Sequence, residues 1–141
     1  MLKNILWFFL LLVTILFTYI WMNSQQWLEE FNDDRQQQSI VLKQQGTDFA
    51  KAANQDQCLE QSFKQLGKCY AYGCTLDQGV FLKSCLANAQ SSEHFCDGIA
   101  RYKEKPTEDD KRWLKNSCWD KNVNAEGCRF LLKQKVYFCS Q

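Results

Sequence analysis

The stretch CLEQSFKQLGKCYAYGCTLDQGVFLKSC, residues 58–85, decides the fold, because its four cysteines have helical spacing. The first and second cysteines are 11 positions apart, and so are the third and fourth. Eleven residues make three turns of an α-helix, so each pair lies on one stripe of a helix. Apolar side chains follow a matching helical spacing at Leu59, Phe63, Leu66 and Tyr70, and again at Phe81, Cys85 and Ala89. We therefore predict two amphipathic helices.

Residues 70–73 separate the two predicted helices and leave room for a turn only. An antiparallel helical hairpin follows, in which residues equally far from the turn face each other. Cys69 is therefore expected to bond to Cys74, and Cys58 to Cys85.

A second pair of helices is predicted after Pro106. Thr107 and Asp110 have the spacing of a capping box, which marks a helix start. Residues 122–124 then interrupt the helix, and an apolar helical pattern returns toward the C-terminus. Cys118 and Cys128 flank this second turn, so the same hairpin geometry pairs them. Cys96 is then left to bond to Cys139. Eight cysteines allow 105 pairings, and this set of four is the one that the hairpin geometry favours.

The composition limits the function classes. The chain has 141 residues, 45% of them hydrophobic, and a formal net charge of +1. That length excludes a multidomain enzyme, and the apolar content excludes disorder throughout. The near-zero charge gives no indication of nucleic acid as a partner. All eight cysteines lie at or after position 58, which is typical of a disulfide-bonded domain in an oxidising compartment.

Residues 5–22, ILWFFLLLVTILFTYIWM, form an apolar run without a charged side chain. These 18 residues make about 27 Å of helix, close to the hydrocarbon thickness of a bilayer. Thr14 and Thr18 can return their hydroxyls to the carbonyl four residues earlier. Aromatic residues suited to the two interfaces flank the run, namely Trp7, Tyr19, Trp21 and Trp27. Because no small-residue cleavage site follows, we predict an uncleaved signal anchor over residues 1–22, with a cleaved signal peptide as the alternative.

Residues 23–57 are rich in Gln and carry more acidic than basic side chains, which favours a solvated helical stalk without a sustained heptad. Gly46 followed by Thr47 predicts a helix end and a new N-cap, and so a joint between stalk and head. The Cys-rich head is expected over residues 58–141, as an all-α bundle.

The cysteines indicate which side of the membrane each end of the chain occupies. Basic residues near the span are nearly balanced, with Lys3 before it and Arg35 after it, so the positive-inside count does not decide. Disulfides persist in the periplasm and not in a reducing cytosol. We therefore predict a single-pass protein of a bacterial inner membrane with a cytoplasmic N-terminus and a periplasmic head.

The helix-and-cysteine pattern through Cys58, Cys69, Cys74 and Cys85 resembles the twin Cys-x9-Cys helical-hairpin proteins of the mitochondrial intermembrane space, with one extra residue inside each pair. The segment FLKSCL at 81–86, followed by FCDG at 95–98, is also similar to uncharacterised membrane-anchored, Cys-rich proteins of proteobacteria. These resemblances imply a disulfide-stapled hairpin and a membrane anchor, and they bring no known activity with them.

No sequence pattern indicates a catalytic, cofactor or metal site. The closest cysteines are four residues apart rather than two, and His94, the single histidine, has no neighbouring nucleophile and is expected in a short helix capped by Ser91 or Ser92. We expect a non-catalytic accessory or assembly subunit of an envelope complex, in contact with lipid and with an integral membrane protein complex. The alternatives are a small periplasmic enzyme acting on thiols or the cell wall, and an inhibitor or immunity protein.

Six side chains are the candidate partner contacts. Aromatic and basic residues are frequent at binding surfaces, and an ordinary solvated face is the alternative explanation for the basic ones. Trp113 and Trp119 are six positions apart, so they are expected on different faces of one helix. The candidates are Trp27, Phe31, Trp113, Trp119, Arg129 and Lys133.

Overall fold

The computed structural model describes residues 2–141 and is all-α, with no β-strand in that range. The helices are α1 (Leu2–Ala50), α2 (Gln55–Leu66), α3 (Tyr72–Asn88), α4 (Glu108–Ser117) and α5 (Ala125–Phe138). The packing divides the chain into two units, with the boundary between Gln38 and Ser39. Residues 39–57, which the composition groups with the stalk, therefore belong to the same unit as the cysteines.

The N-terminal unit is the part of α1 up to Gln38, and it includes the apolar run. Among residues 2–141, α1 is the one helix long and apolar enough to cross a membrane, with a mean hydropathy of 2.4 over its most apolar 18 residues and none of them buried in the protein. The Thr18 hydroxyl donates to the Thr14 carbonyl at 3.0 Å, as predicted, whereas Thr14 donates to Leu11, three residues earlier, at 2.8 Å. Both hydroxyls are thus satisfied within the helix.

In the second unit, α2 and α3 form a helical hairpin. Disulfides join Cys58 to Cys85 and Cys69 to Cys74. The first bridge links the start of α2 to the end of α3, and the second closes the turn, so the two helices are antiparallel. Asn54 caps α2 through a capping box with Gln57. Cys58 and Cys85 are completely buried, so the first bridge is part of the hydrophobic core.

Helices α4 and α5 complete the second unit. Thr107 caps α4, and the Asp110 carboxylate accepts from the Thr107 backbone N–H at 2.8 Å, which forms the predicted capping box. Helix α5 packs against α2, α3 and α4. Disulfides join Cys118 to Cys128 and Cys96 to Cys139. The four bridges in the structure are the four pairs that the hairpin argument gives.

The core lies where the end of α1 meets α2, α3, α4 and α5. Its buried side chains are Ala50, Phe63, Leu66, Phe81, Leu82, Leu86, Phe95, Leu114, Leu131 and Leu132, together with four of the cysteines. Bridges across so small a core stabilise it by about 2 to 4 kcal/mol each, mainly because they restrict the unfolded chain.

The predicted helix end at Gly46 is wrong, because α1 continues to Ala50. Gly46 is buried inside the helix, where its missing side chain lets α1 approach α3 closely. A Cβ at this position would lie 2.6 Å from the Phe81 carbonyl oxygen and 2.9 Å from the Ser84 Cβ. The Ser84 hydroxyl also donates to the Lys43 carbonyl at 2.7 Å. The glycine therefore marks a helix contact rather than a joint.

Candidate functional site

The turn between α2 and α3 presents two exposed aromatic rings. Tyr70 is fully exposed and Tyr72 is 72% exposed. Tyr70 was expected to continue the apolar stripe of α2, and this expectation is wrong because α2 ends at Leu66, one turn earlier. We call residues 69–74 the tyrosine turn. Large aromatic side chains that face solvent together are characteristic of binding surfaces.

The tyrosine turn is held in place at both ends. The Cys69–Cys74 disulfide closes it, with the two Cα atoms 5.5 Å apart. The Cys69 N–H donates to the Leu66 carbonyl at 2.9 Å, so the turn begins directly on the last residue of α2. Because Tyr72 is already the first residue of α3, few backbone torsions remain free. A surface fixed in this way loses little conformational entropy on binding.

Helix α5 provides the neighbours of the tyrosine turn. A shallow cavity of about 340 Å³ lies between them, and its walls include Tyr70, Tyr72, Arg129, Phe130 and Lys133. The half-buried Phe130 ring packs against Gly79 of α3, where a Cβ would collide with it. This contact fixes the face of α5 that carries Arg129 beside the tyrosines.

The charge on this surface is mainly positive. Neither Arg129 nor Lys133 forms an ion pair with another residue in the range 2–141, and Glu126 is the acidic residue of the same cavity. Tyrosine and arginine are, with tryptophan, the residue types enriched at energetically important contact positions. The tyrosine turn, Arg129, Phe130 and Lys133 therefore form the candidate binding surface, which we call the tyrosine surface.

A second cavity of about 300 Å³ lies between α4, α5 and the segment 97–107. Trp113, Leu114 and Val136 form its apolar walls, and Arg101 and Lys133 are among its charged residues. Trp113 is half-buried and packs against the core. We call this cavity the α4–α5 slot. Lys133 contributes to both the slot and the tyrosine surface.

The structure does not bring the six candidate contacts together. Arg129 and Lys133 lie on the tyrosine surface, and Trp113 lines the α4–α5 slot. Trp27 and Phe31 belong to the N-terminal unit, where their rings stack with centroids 5.7 Å apart.

Trp119 differs from its prediction. It is 77% exposed and follows the end of α4 at Ser117, so the expectation that it shares a helix with Trp113 is wrong. The helix ends early because Cys118, its C-cap residue, is bonded to Cys128 of α5 and turns the chain toward that helix.

The region around His94 is a series of turns rather than the predicted short helix. The His94 imidazole lies 2.8 Å from the Asp97 carboxylate, and both side chains are exposed. Phe95 between them is buried, and its ring lies edge-on to that of Phe138 with centroids 6.1 Å apart. Among residues 2–141, no three His, Cys, Asp or Glu side chains are grouped as a metal site would require.

The pKa of one lysine in the second unit is lowered. Lys135 lies with its Nζ 4.2 Å from the centroid of the Phe95 ring, and its burial lowers its pKa below the usual 10.5. A neighbouring Lys121 charge lowers the pKa further, while Asp56 opposes the shift. This lysine packs on the core and takes no part in the tyrosine surface.

Sequence reasoning missed Tyr70, Tyr72 and Phe130 as surface residues. The available signal was the pair of tyrosines inside a segment of six residues that ends in cysteine on both sides. Such a short closed segment has no room to bury two large rings, so the tyrosines had to face outward.

Comparisons with known proteins identify no relative. No family model, no curated protein and no solved structure matches the chain. The resemblances to helical-hairpin proteins and to membrane-anchored bacterial proteins therefore stay predictions.

Proposed function

We propose that the chain is a non-catalytic accessory or assembly subunit of an envelope protein complex. The apolar part of α1 anchors it in a bacterial inner membrane, and the disulfide-bonded unit binds a partner protein in the periplasm. The observation that carries this proposal is the tyrosine surface, in which a disulfide closes the turn that bears two exposed tyrosines, beside an arginine with no ion pair among residues 2–141. Aromatic and cationic side chains on a constrained backbone are suited to recognition.

The location is supported by two features. One helix has the length and composition of a membrane span, and all eight cysteines are bonded in the C-terminal part of the chain. Those bonds need an oxidising compartment, so the cysteine-containing unit lies outside the cytoplasm and the N-terminus inside it. Labelling of an added cysteine by a membrane-impermeant maleimide, at position 3 or after residue 141, tests this orientation. The C-terminal site should react in intact cells and the N-terminal site only after lysis.

The partner would be an integral membrane protein or a subunit bound to one. Aromatic side chains of the anchor, exposed along its length, can pack on neighbouring helices as well as on lipid. The tyrosine surface would then contact an acidic or polar region of the same complex, because the two cations Arg129 and Lys133 outnumber Glu126, the one acidic residue of its cavity.

Photo-crosslinking in living cells tests the binding role. A photoreactive phenylalanine derivative replaces Tyr70 in one protein and Lys115 in a matched control, since both side chains are exposed and lie on the second unit and Lys115 is not among the candidate contacts. We expect the residue at position 70 to form a defined crosslink to one protein, and the residue at 115 to form none. Arg129→Glu should abolish the crosslink, because it reverses the charge beside the turn.

Purification in mild detergent supplies the independent result. The native protein should come away with its partner in a fixed ratio, and Tyr70→Ala with Tyr72→Ala should weaken this association more than about tenfold. A protein that is alone and monomeric under these conditions contradicts the accessory-subunit role. Equal crosslinking at both positions contradicts the tyrosine surface as the site of contact. Free thiols in the native protein would favour the alternative of a thiol enzyme.

A further inference from the structure

The α4–α5 slot has the features of a preformed ligand site. Its walls come from three separate parts of the chain: Trp113 and Leu114 on α4, Val136 on α5 and Pro106 in the segment between α3 and α4. A volume of about 300 Å³ is at the lower end of the range for small-molecule sites in proteins. The apolar walls can cover an apolar group, and the cavity opens among charged side chains.

The segment that covers the slot is tied to α5 at several points. The Cys96–Cys139 disulfide fixes its start. The Tyr102 backbone N–H donates to the Ser140 hydroxyl at 2.7 Å, and the Tyr102 ring packs edge-on against Tyr137 with centroids 5.2 Å apart. These contacts hold the slot open without a ligand, so binding requires little reorganisation.

The two acidic side chains of α4 that line the slot already form ion pairs. The Asp110 carboxylate accepts from the Thr107 backbone and hydroxyl and forms an ion pair with Lys103 at 3.2 Å. The hydrogen bonds from Thr107 are the main cause of the lowered pKa of Asp110, with Lys103 adding to the effect. The Asp109 carboxylate pairs with Arg112 at 3.1 Å. Asp110 is therefore held by Thr107 and Lys103, and Asp109 has Arg112 as an exposed ion-pair partner.

Two basic side chains of the slot, one from the segment 97–107 and one from α5, have no ion-pair partner in the part of the chain that the structure describes. Arg101 and Lys133 have no ion pair within residues 2–141, and Glu104 is the one acid of the slot that is also without one. The lining as a whole carries three basic and three acidic side chains, and the three of them without an ion pair in that range sum to a charge of +1. An anionic group would be held there by two donors, one of which, the Arg101 guanidinium, can bind a carboxylate through two parallel hydrogen bonds.

The volume limits the size of the ligand. At about 30 Å³ for each non-hydrogen atom, the volume of a water molecule in the liquid, the slot holds about ten such atoms. We propose that the α4–α5 slot binds a medium-chain monocarboxylate of the size of octanoate, with its alkyl chain against Trp113, Leu114 and Val136 and its carboxylate at Arg101 and Lys133. This site is separate from the tyrosine surface, apart from the shared Lys133.

Bromine quenching tests the proposal on the full chain in lipid nanodiscs. Bromine quenches tryptophan fluorescence on contact, so 8-bromooctanoate reports where its alkyl end lies. One protein keeps Trp113 as its single tryptophan, and the matched control keeps both Trp113 and Trp119, with phenylalanine at the remaining tryptophan positions. The slot wall is then intact in both proteins, and the difference in quenching between them reports Trp119. We expect saturable quenching of Trp113 with a dissociation constant on the order of 1 mM. The exposed Trp119 should show the weak, non-saturable quenching of a dissolved quencher.

Competition and charge variants test the chemistry. Octanoate should displace the quencher, whereas 1-octanol and octylammonium should require concentrations about tenfold higher or more. Arg101→Gln and Lys133→Gln should each weaken binding by about five- to tenfold. Lys115→Gln serves as the matched control, because Lys115 is exposed on α4 and does not line the slot. Unchanged near-ultraviolet circular dichroism shows that each variant is folded.

Three results would overturn the proposal. Equal, non-saturable quenching of Trp113 and Trp119 means that the slot binds nothing of this kind. Equal displacement by octanol and octanoate means that the cations do not recognise a carboxylate. A Lys115→Gln effect as large as that of Arg101→Gln means that the charge response is not local to the slot.

Discussion

Replacing Gly46 by alanine tests the packing of α1 against α3 directly. A Cβ at this position would lie 2.6 Å from the Phe81 carbonyl oxygen and 3.1 Å from the Cys85 backbone nitrogen. Both are backbone atoms of α3, and Cys85 is tied to Cys58 by a disulfide, so they cannot move aside as a side chain could. The methyl group therefore forces the two helices apart.

The size of the effect follows from two opposing contributions. Overpacking a core contact costs typically 1 to 3 kcal/mol, and contact with a fixed backbone places Gly46→Ala at about the upper end of that range. Alanine recovers up to about 1 kcal/mol because it favours a helix over glycine. We expect a net loss of about 2 kcal/mol in the free energy of unfolding. For a unit of this size, that corresponds to a fall in Tm of about 10 °C.

Two other glycines provide the controls. Gly73 lies in the first turn of α3 with nothing within 4 Å of a built Cβ, so Gly73→Ala should leave stability unchanged or raise it by about 0.5 kcal/mol. Gly79→Ala would collide with the Phe130 ring, which can rotate away, and its effect should fall between the other two.

The assay is guanidinium-induced loss of near-ultraviolet circular dichroism in mild detergent, with the disulfides intact. This signal reports the packed aromatic rings of the second unit and avoids the helical signal of the membrane segment. A Gly46→Ala protein as stable as Gly73→Ala would refute the close approach of α1 to α3.

Three further predictions concern the second unit. Cys96→Ser with Cys139→Ser opens a loop of 43 residues and should lower the free energy of unfolding by about 4 kcal/mol, as measured by denaturation; an unchanged midpoint would show that this bridge restricts the unfolded chain little. Thr107→Ala removes the cap of α4 and should cost about 1 kcal/mol in the same assay, and no loss would mean that the backbone amides of the first turn are satisfied without it. The pKa of Asp110 is lowered by hydrogen bonds from Thr107, so its stabilising effect is complete above its ordinary pKa of 3.8 and is lost as the pH falls through the lower folded value. A carboxyl titration followed by NMR should show this pKa rising toward 3.8 in Thr107→Ala, and an unshifted pKa would contradict the cause assigned to it.

Three of the bridges and the helix starts were predictable from short segments of sequence. Cys74 and Cys85, 11 positions apart, lie on one stripe of α3, and a turn too short for another element forces the hairpin. The matching argument for α2 holds only in part, because α2 ends before Cys69. The capping box at Thr107 needs only four consecutive residues. The Cys96–Cys139 bridge spans 43 positions and follows only because the other six cysteines are already paired.

Gly46 shows where that reasoning fails. A glycine favours a helix end because it has no Cβ, and it favours a close helix contact for the same reason. The two outcomes differ only in whether another helix lies alongside, and that helix, α3, begins 26 positions later in the chain. No local pattern contains this information. The prediction for Trp119 is wrong for a related reason. The Cys118–Cys128 bridge, and not the helical spacing, sets the direction of the chain at that point.

Removal of the Cys69–Cys74 bridge should affect the stability of the second unit and its binding to a partner to different extents. Its loop is the shortest of the four, with a sequence separation of 5, so its contribution to the free energy of unfolding is small, about 2 kcal/mol. Cys69→Ser with Cys74→Ser should therefore leave the second unit folded at room temperature. The same change frees the backbone that carries Tyr70 and Tyr72. If the tyrosine surface binds a partner, this variant should lose association out of proportion to its loss of stability, because the order of the turn would then have to be restored on binding. A variant with normal near-ultraviolet circular dichroism and undiminished association would show that the turn recognises nothing by its shape.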